Sequence, residues 1–384
     1  MPQAIDFSPK VLVVDLSNNY GGTSSRVLTL LTRAKPGIIA LASLKSGAIT
    51  QKAMQLGLPV HLLSGHKADP RLLLRLIQVI RREGYNILDS QNIQSKFWAN
   101  LAAIMTGTAL VSTLNSWYAH EHSTTLIKGR LYTSLELLTN QSLSLYITVS
   151  EKDRQMLLSS GIPAGAIELI YNTIDLDTSV IPGDKDSLRK QFDLPPQSIV
   201  CTAIGRLVPQ KGFDILIDAF QKIASQIPEL FCLIVGEGKS KEQLSKQIRA
   251  VGLENRVRLV GYYDRQNILS ILKSSDFFVM SSRYEGTPIA LLEAAALACP
   301  ILATSSGGIP ELVTHEEHAY LVPVCDPTAL AQGFARLALH PDYAQMLGQN
   351  AQRRVRESFN PKSQVDATWA AYDKALNIHN AQQK

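Results

Sequence analysis

Along the first 175 positions, short apolar runs alternate with stretches of helical period. VLVVDL (11–16), GIIALASL (37–44), PVHLL (59–63), YNILDS (85–90), ALVSTLN (109–115), LYITVS (145–150) and IELIYN (167–172) read as strands. RVLTLLTRA (26–34), ITQKAMQLG (49–57) and RLLLRLIQVIRREG (71–84) read as helices between them. Strands that are apolar throughout, rather than alternating, are buried on both faces. That predicts a parallel sheet covered by helices on each side. Residues 177–197 then turn polar, carry three prolines, and read as a linker with one short helix.

A second series follows. SIVCTAIG (198–205), LFCLIVGEG (230–238), VRLVGY (257–262), FFVMSS (277–282), PILATSS (300–306) and AYLVPV (319–324) are strand candidates, with helices at ILIDAFQKIAS and KEQLSKQIRAVG. Two doubly wound α/β domains in tandem are the simplest architecture. The expected division is residues 1–180, an N-terminal Rossmann-like domain, and 181–360, a C-terminal one, with 361–384 as a final helix. Ligands on such sheets bind outside the carboxyl ends of the strands. The expected site is therefore the cleft between the domains.

Composition adds limits. At 384 residues, 45% hydrophobic and 18% charged, the chain matches an ordinary globular protein with room for two cores. No apolar run reaches the roughly 20 residues of a membrane span. The N-terminus lacks a secretory pattern, so a cytoplasmic location is expected. Cys201, Cys232, Cys299 and Cys325 sit at no metal-ligand spacing and read as reduced thiols. Residues 1–170 hold 16 Lys and Arg against 10 Asp and Glu, whereas the remainder is nearly balanced at 22 against 23. A basic first half suits an anionic partner such as a membrane surface or an acidic acceptor, or is simply a solvated face. No nucleic-acid partner is expected.

The chemistry concentrates in SRYEGTPIALLEAAALACP (282–300). Thr287 is the expected N-cap and Pro288 the first residue of an Ala- and Leu-rich helix that ends at Cys299–Pro300. Glu285 precedes that helix and Glu293 lies two turns into it, among apolar neighbours. A buried carboxylate needs donors. A sugar diol would supply them; a core Lys or Arg is the structural alternative. The first N–H groups of such a helix suit phosphate. Three further Gly-bearing turns end strands: GRLVPQKGFD (205–214), which brings Arg206 and Lys211, VGEG (235–238) and SSGGIPE (305–311). NNYGGTSS (18–25) follows the first strand.

GRLVPQKG, VGEG, SRYEGTPIALLEA and SSGGIPE, in this order and spacing, resemble the donor half of the retaining glycosyltransferases of family 4, with the GT-B fold. Glu285 and Glu293 match that family's E-x7-E motif. YGGTSSRV and VSEKDRQMLLSSG…IELIYNTID extend the resemblance over nearly the whole chain. It implies that Arg206 and Lys211 hold the donor diphosphate, that Glu293 holds the nucleotide ribose and that Glu285 contacts the transferred sugar. Gly205, Gly236, Glu237, Gly286, Thr287 and Pro288 would complete the donor site, and the Gly21–Gly22 turn would close over the phosphates. It also implies that the final helix, around Trp369 and Tyr372, packs back on the first domain. The function implied is metal-independent, retaining transfer of a sugar from a UDP- or GDP-linked nucleotide sugar to a glycan, lipid-linked or polysaccharide-precursor hydroxyl. No further cofactor is implied, and peripheral contact with the inner face of the membrane is compatible.

The chain departs from the family on the acceptor side. Asn115 stands where a His is common, and Asp89-Ser90-Gln91 replaces a His-x-His. Thr173 replaces the Gly of the Asn-Gly-x-Asp turn, here Asn172 to Asp175. Asn115 and Gln91 bond hydroxyls but carry no proton. His120, or His122, is the alternative from the neighbouring loop, or the two form a solvated surface pair. These departures leave a second reading: a non-catalytic nucleotide-sugar-binding protein or partner subunit. A dinucleotide oxidoreductase lacks support, since no G-x-G-x-x-G follows a strand. Asp175-Leu176-Asp177 has the form of a metal-binding Asp-x-Asp, but the converging oxygens a metal needs are not evident around it. The helix 71–84, with Arg71, Arg75, Arg81 and Arg82 beside a Leu/Ile face, fits a core-facing helix with a solvated rim. It also fits a helix lying on an anionic membrane.

Overall fold

The computed structural model describes residues 8–17, 22–34, 37–66, 68–115 and 143–383. Within them the chain forms two units, one of residues up to Thr173 together with those from Pro361 on, the other Ile174–Asn360.

The first unit holds a seven-stranded parallel sheet in the order β3-β2-β1-β4-β5-β6-β7. Its strands are β1 (Val11–Val14), β2 (Ile39–Ser43), β3 (Val60–Leu62), β4 (Ile87–Ser90), β5 (Ala109–Leu114), β6 (Leu143–Thr148) and β7 (Ile167–Leu169). The central strands are apolar on both sides because both sides are covered. Val11 and Val13 face a cluster that includes the helix Gly22–Arg33 and the C-terminal helix Pro361–Gln382. Leu12 and Val14 face the helices Arg71–Glu83 and Ile93–Thr106. The Leu/Ile face of Arg71–Glu83 is thus spent on the core: Leu72, Leu76, Ile77, Val79 and Ile80 are all buried.

The C-terminal helix is tied to this unit by polar contacts as well as packing. Thr173 donates its N–H and hydroxyl to Gln364 Oε1 at 2.9 and 2.6 Å. Tyr372 donates to Asp89 at 2.7 Å, and Lys374 pairs with Glu168 at 2.6 Å.

The second unit holds a six-stranded parallel sheet, β10-β9-β8-β11-β12-β13. These strands are β8 (Ile199–Ile204), β9 (Leu230–Val235), β10 (Val257–Gly261), β11 (Phe277–Met280), β12 (Ile301–Thr304) and β13 (Tyr320–Val322). The order reverses direction between β8 and β11, just as the first sheet reverses between β1 and β4. At such a switch the loops leave on opposite faces and open a crevice at the carboxyl edge.

The polar stretch read as a linker is only partly one. Its helix Lys185–Gln191 buries Leu188, and Phe192 and Leu194 join it in a cluster with Val200, Phe231 and Leu233. Three apolar side chains scattered among polar ones left no periodic signal.

Candidate functional site

The crevice of the second sheet is built from the turns after β8 and β11. After β8 come Gly205 and the exposed Arg206, then a 3-10 turn, Pro209–Lys211. After β11 come Ser281 to Pro288, then the helix Ile289–Ala296. Lys211 Nζ lies 2.6 Å from Glu285 Oε1, and Ser282 donates its hydroxyl to the same oxygen at 2.6 Å. Both partners are mostly shielded, their side chains 19% and 7% exposed. One carboxylate oxygen thus receives two donors from two strand ends.

Backbone contacts hold these turns. Gln210 donates to the Tyr284 carbonyl at 3.0 Å and its own carbonyl accepts the Arg283 N–H at 2.8 Å. Arg283 grips Asp214 with two bonds of 2.9 and 2.6 Å. Burial opposes ionisation of Asp214, but the bonds from Arg283 win and hold its carboxyl below the ordinary value. Gly307, at φ 55°, lies so close that a Cβ there would overlap the Glu285 carbonyl oxygen; Gly308 donates its N–H to that oxygen at 3.0 Å. Gly236, at φ 144°, lies equally close to the Gly205 carbonyl. The glycines of VGEG and SSGGIPE are therefore where turn meets turn.

Glu293 is buried in the helix Ile289–Ala296 and burial raises its pKa. Its Oε1 accepts a bond from Arg265 Nε at 2.8 Å. Arg265 is the first residue of the helix Arg265–Ser274, which is capped by Asp264. Of the two partners weighed for Glu293, a diol or a core cation, the structure supplies the cation on one oxygen. Nothing in the run DRQN marked Arg265, because the pairing spans 28 positions and no local pattern records it. Gln210, Ser282 and the Arg283–Asp214 clamp escaped for the same reason. The helix start also differs by one residue. Pro288 is the N-cap and Ile289 the first helical residue, and Pro288 itself offers no side-chain cap.

Gly286, Thr287 and Pro288 are buried at the head of that helix. Glu237 is more peripheral: its carboxylate pairs with Lys241 at 2.8 Å, and its carbonyl accepts the Leu207 N–H at 2.9 Å. Asp177 caps Ser179, with bonds of 3.0 and 2.6 Å from its N–H and hydroxyl. Among the described residues, no group of three His, Cys, Asp or Glu converges as metal ligands would.

In the first unit, Gln91 and Asn115 leave the ends of β4 and β5. Asn115 Nδ2 donates to the Gln91 carbonyl at 3.1 Å. Gln91 Oε1 and Asn115 Oδ1 are both buried without a partner among the described residues. Unmet acceptors on two residues that bond each other suit hydroxyl or amide donors of a ligand. Asp89 turns inward instead. It accepts from Thr113 at 2.8 Å and from Tyr372 at 2.7 Å, and burial lifts its pKa to about 6. Buried Arg26 lies in the same network and bonds the Ile170 carbonyl and Asn172 Oδ1 at 3.1 and 3.2 Å. Gly22 opens the helix Gly22–Arg33. Gly21, His120 and His122 lie outside the described residues.

Residues 28–178 match Glycosyltransferase Family 4, and residues 184–354 match Glycosyl transferases group 1. Together the two matches span most of the chain. A curated relative, the UDP-Gal:alpha-D-GlcNAc-diphosphoundecaprenol alpha-1,3-galactosyltransferase of Escherichia coli, is 25% identical over 78% of this chain and 78% of its own. The N-acetyl-alpha-D-glucosaminyl L-malate synthase of Bacillus anthracis is 28% identical over 53% of this chain and 52% of its own. Among solved structures, Anabaena HepE in complex with UDP-glucose superposes with a TM-score of 0.82 at 23% identity, covering 94% of this chain and 98% of that one. The fold is GT-B.

Proposed function

Because this chain belongs to the glycosyltransferases of family 4, we propose that it transfers a sugar from its nucleotide-sugar donor to a hydroxyl acceptor with retention of anomeric configuration and without a metal ion. The observation that carries this reading is the Lys211–Glu285 pair, braced by Ser282, at the β8/β11 switch point. A cation and a carboxylate are preorganised there, where a doubly wound sheet takes its ligand.

Arg206 and Lys211 hold the diphosphate and balance the charge that grows on it as the glycosidic bond breaks. Glu285 orients the transferred sugar. Glu293, kept in place by Arg265, accepts the ribose hydroxyls. Gly205, Gly236, Gly286, Thr287 and Pro288 let the backbone approach. The acceptor oxygen bonds the anomeric carbon on the face the diphosphate leaves, and the leaving phosphate oxygen takes the acceptor's proton. This route needs no enzyme nucleophile. Gln91 and Asn115 take sugar hydroxyls on their unmet oxygens.

A UDP-sugar is the favoured donor, since the Escherichia coli relative is named for UDP-Gal and HepE was solved with UDP-glucose. A lipid diphosphate sugar is the favoured acceptor class, by the same relative's name. Such an acceptor would bring the protein to the inner face of a membrane. The test is incubation with UDP-, GDP- and ADP-sugars, with and without a lipid-diphosphate acceptor and EDTA. Nucleotide release and the product's anomeric configuration are read by NMR. Release from a UDP-sugar that survives EDTA and gives an α-product from an α-donor is expected. An inverted product, or complete loss with EDTA, would sink the reading.

A further inference from the structure

The helix Ile93–Thr106 buries small and polar residues and leaves most of its bulky apolar ones toward solvent. Its only charged residue, Lys96, is buried and donates to Tyr146 at 2.6 Å. The helix contains no acidic residue. Apart from Gln94 in the first turn, the side facing solvent is apolar: Phe97 is 41% exposed, Ile104 52% and Met105 54%, with Trp98 and Leu101 half-buried between them. Spaced at 97, 98, 101, 104 and 105, these residues form one stripe along the helix.

The neighbouring helix Arg71–Glu83 completes the surface. Its apolar face is buried, but Leu74 is 59% exposed and Arg71, Arg81 and Arg82 stand in solvent. Arg81 donates to the Met105 carbonyl at 3.4 Å, which places its guanidinium at the end of the stripe. Arg71 is partly balanced by Asp69 and Arg82 by Glu83, so Arg81 carries the excess charge. Exposed bulky side chains clustered beside cations mark an interaction site. Apolar groups flanked by arginine suit the boundary between lipid headgroups and acyl chains.

We propose that this two-helix face, led by Phe97, Ile104 and Met105 and rimmed by Arg81, docks on an anionic lipid bilayer. The helix begins at its N-cap Asn92, one residue beyond Gln91. The stripe therefore starts beside the carboxyl edge where the unmet amide oxygens lie. This deepens the lipid-borne acceptor of the functional reading and rests on it for its purpose.

The experiment is flotation of the full chain with phosphatidylcholine vesicles, with or without phosphatidylglycerol, in low and high salt. The protein is expected to float with the anionic vesicles only, and less so in high salt. The triple variant Phe97→Ser, Ile104→Ser, Met105→Ser should lose about tenfold or more of that binding, and Arg81→Glu should weaken it several-fold. Melting temperature, and its rise with added UDP, should be unchanged in both. Equal flotation of the triple variant overturns the proposal. So does failure of the unaltered protein to float while UDP still raises its melting temperature, an outcome that leaves the donor site standing. A dimer in sedimentation velocity that the triple variant dissolves would reassign the face to a second copy of the chain and also overturns it.

Discussion

Arg265 and Glu293 join two helices of the second domain through a 2.8 Å bond, with the carboxylate 8% exposed and the guanidinium 32%. Burial pushes Glu293 toward its neutral form, and Arg265 opposes this. Ribose recognition needs the ionised acceptor, so the cation is a positioning residue for the proposed donor site. Its own Nη2 is buried without a partner among the described residues, which leaves that group's two N–H donors in reserve for a ligand oxygen.

Arg265→Gln should therefore destabilise the folded chain more at pH 7.5 than at pH 5.5, read in melting curves of the unliganded protein. The sign follows from linkage. Glu293 has a raised folded pKa, so its burial costs stability above that pKa and costs none below the unfolded value. Removing Arg265 raises the folded pKa further and enlarges the cost at neutral pH. The variant should lose up to about 3 kcal/mol at pH 7.5, the lower end for breaking a buried pair, and regain most of it toward pH 5. A loss that is flat with pH would mean Arg265 acts only by packing.

Arg206→Ala should lower kcat/KM for the donor by about 10²–10³-fold with little change in melting temperature, because Arg206 is exposed. Lys211→Ala should lower activity as much and also destabilise, since it leaves the buried Glu285 with the Ser282 hydroxyl but no cation. Steady-state kinetics and thermal melts of the two variants would separate the effects. Equal stability losses would contradict the burial difference.

Gly307→Ala should damage the site from outside it. The added methyl meets the Glu285 carbonyl oxygen and the residue keeps a φ of 55°, so the turn bearing Glu285 must shift. A loss of about 1–3 kcal/mol and of most donor turnover is expected. Gly161→Ala, also at positive φ but in open space, should cost stability and spare turnover. Unchanged kcat/KM in Gly307→Ala would show that the turn is not needed where it stands.

Tyr372→Phe tests the tie between the C-terminal helix and the first sheet. Asp89 titrates near 6 in the folded chain, above its ordinary value. The penalty of its burial is absent below about pH 4 and grows as pH rises through about 6. Tyr372 donates a bond that relieves it. Without that hydroxyl the penalty should grow by about 1–3 kcal/mol at pH 8 and be small at pH 5. Melting curves across that range would show it, and parallel curves for variant and parent would refute it.

Period alone determined the two parallel sheets: VLVV, ALV, IVC and LFCLIV are apolar at consecutive positions rather than alternate ones, which double coverage explains. The short motifs with Arg206, Lys211, Glu285 and Glu293 were legible too, because glycines and charges at strand ends stand out against apolar runs. Tertiary structure decided what those charges touch. That Lys211 meets Glu285, that Arg265 rather than solvent faces Glu293, and that Asp89 turns inward to Tyr372, 283 residues away, depend on crossings the local sequence does not encode. The same holds for the surface. The basic helix 71–84 shows its apolar face in sequence, yet packing buries that face and leaves the next helix's Phe97, Ile104 and Met105 in water. An amphipathic pattern specifies that one side of a helix is covered. Only the assembled layers specify by what.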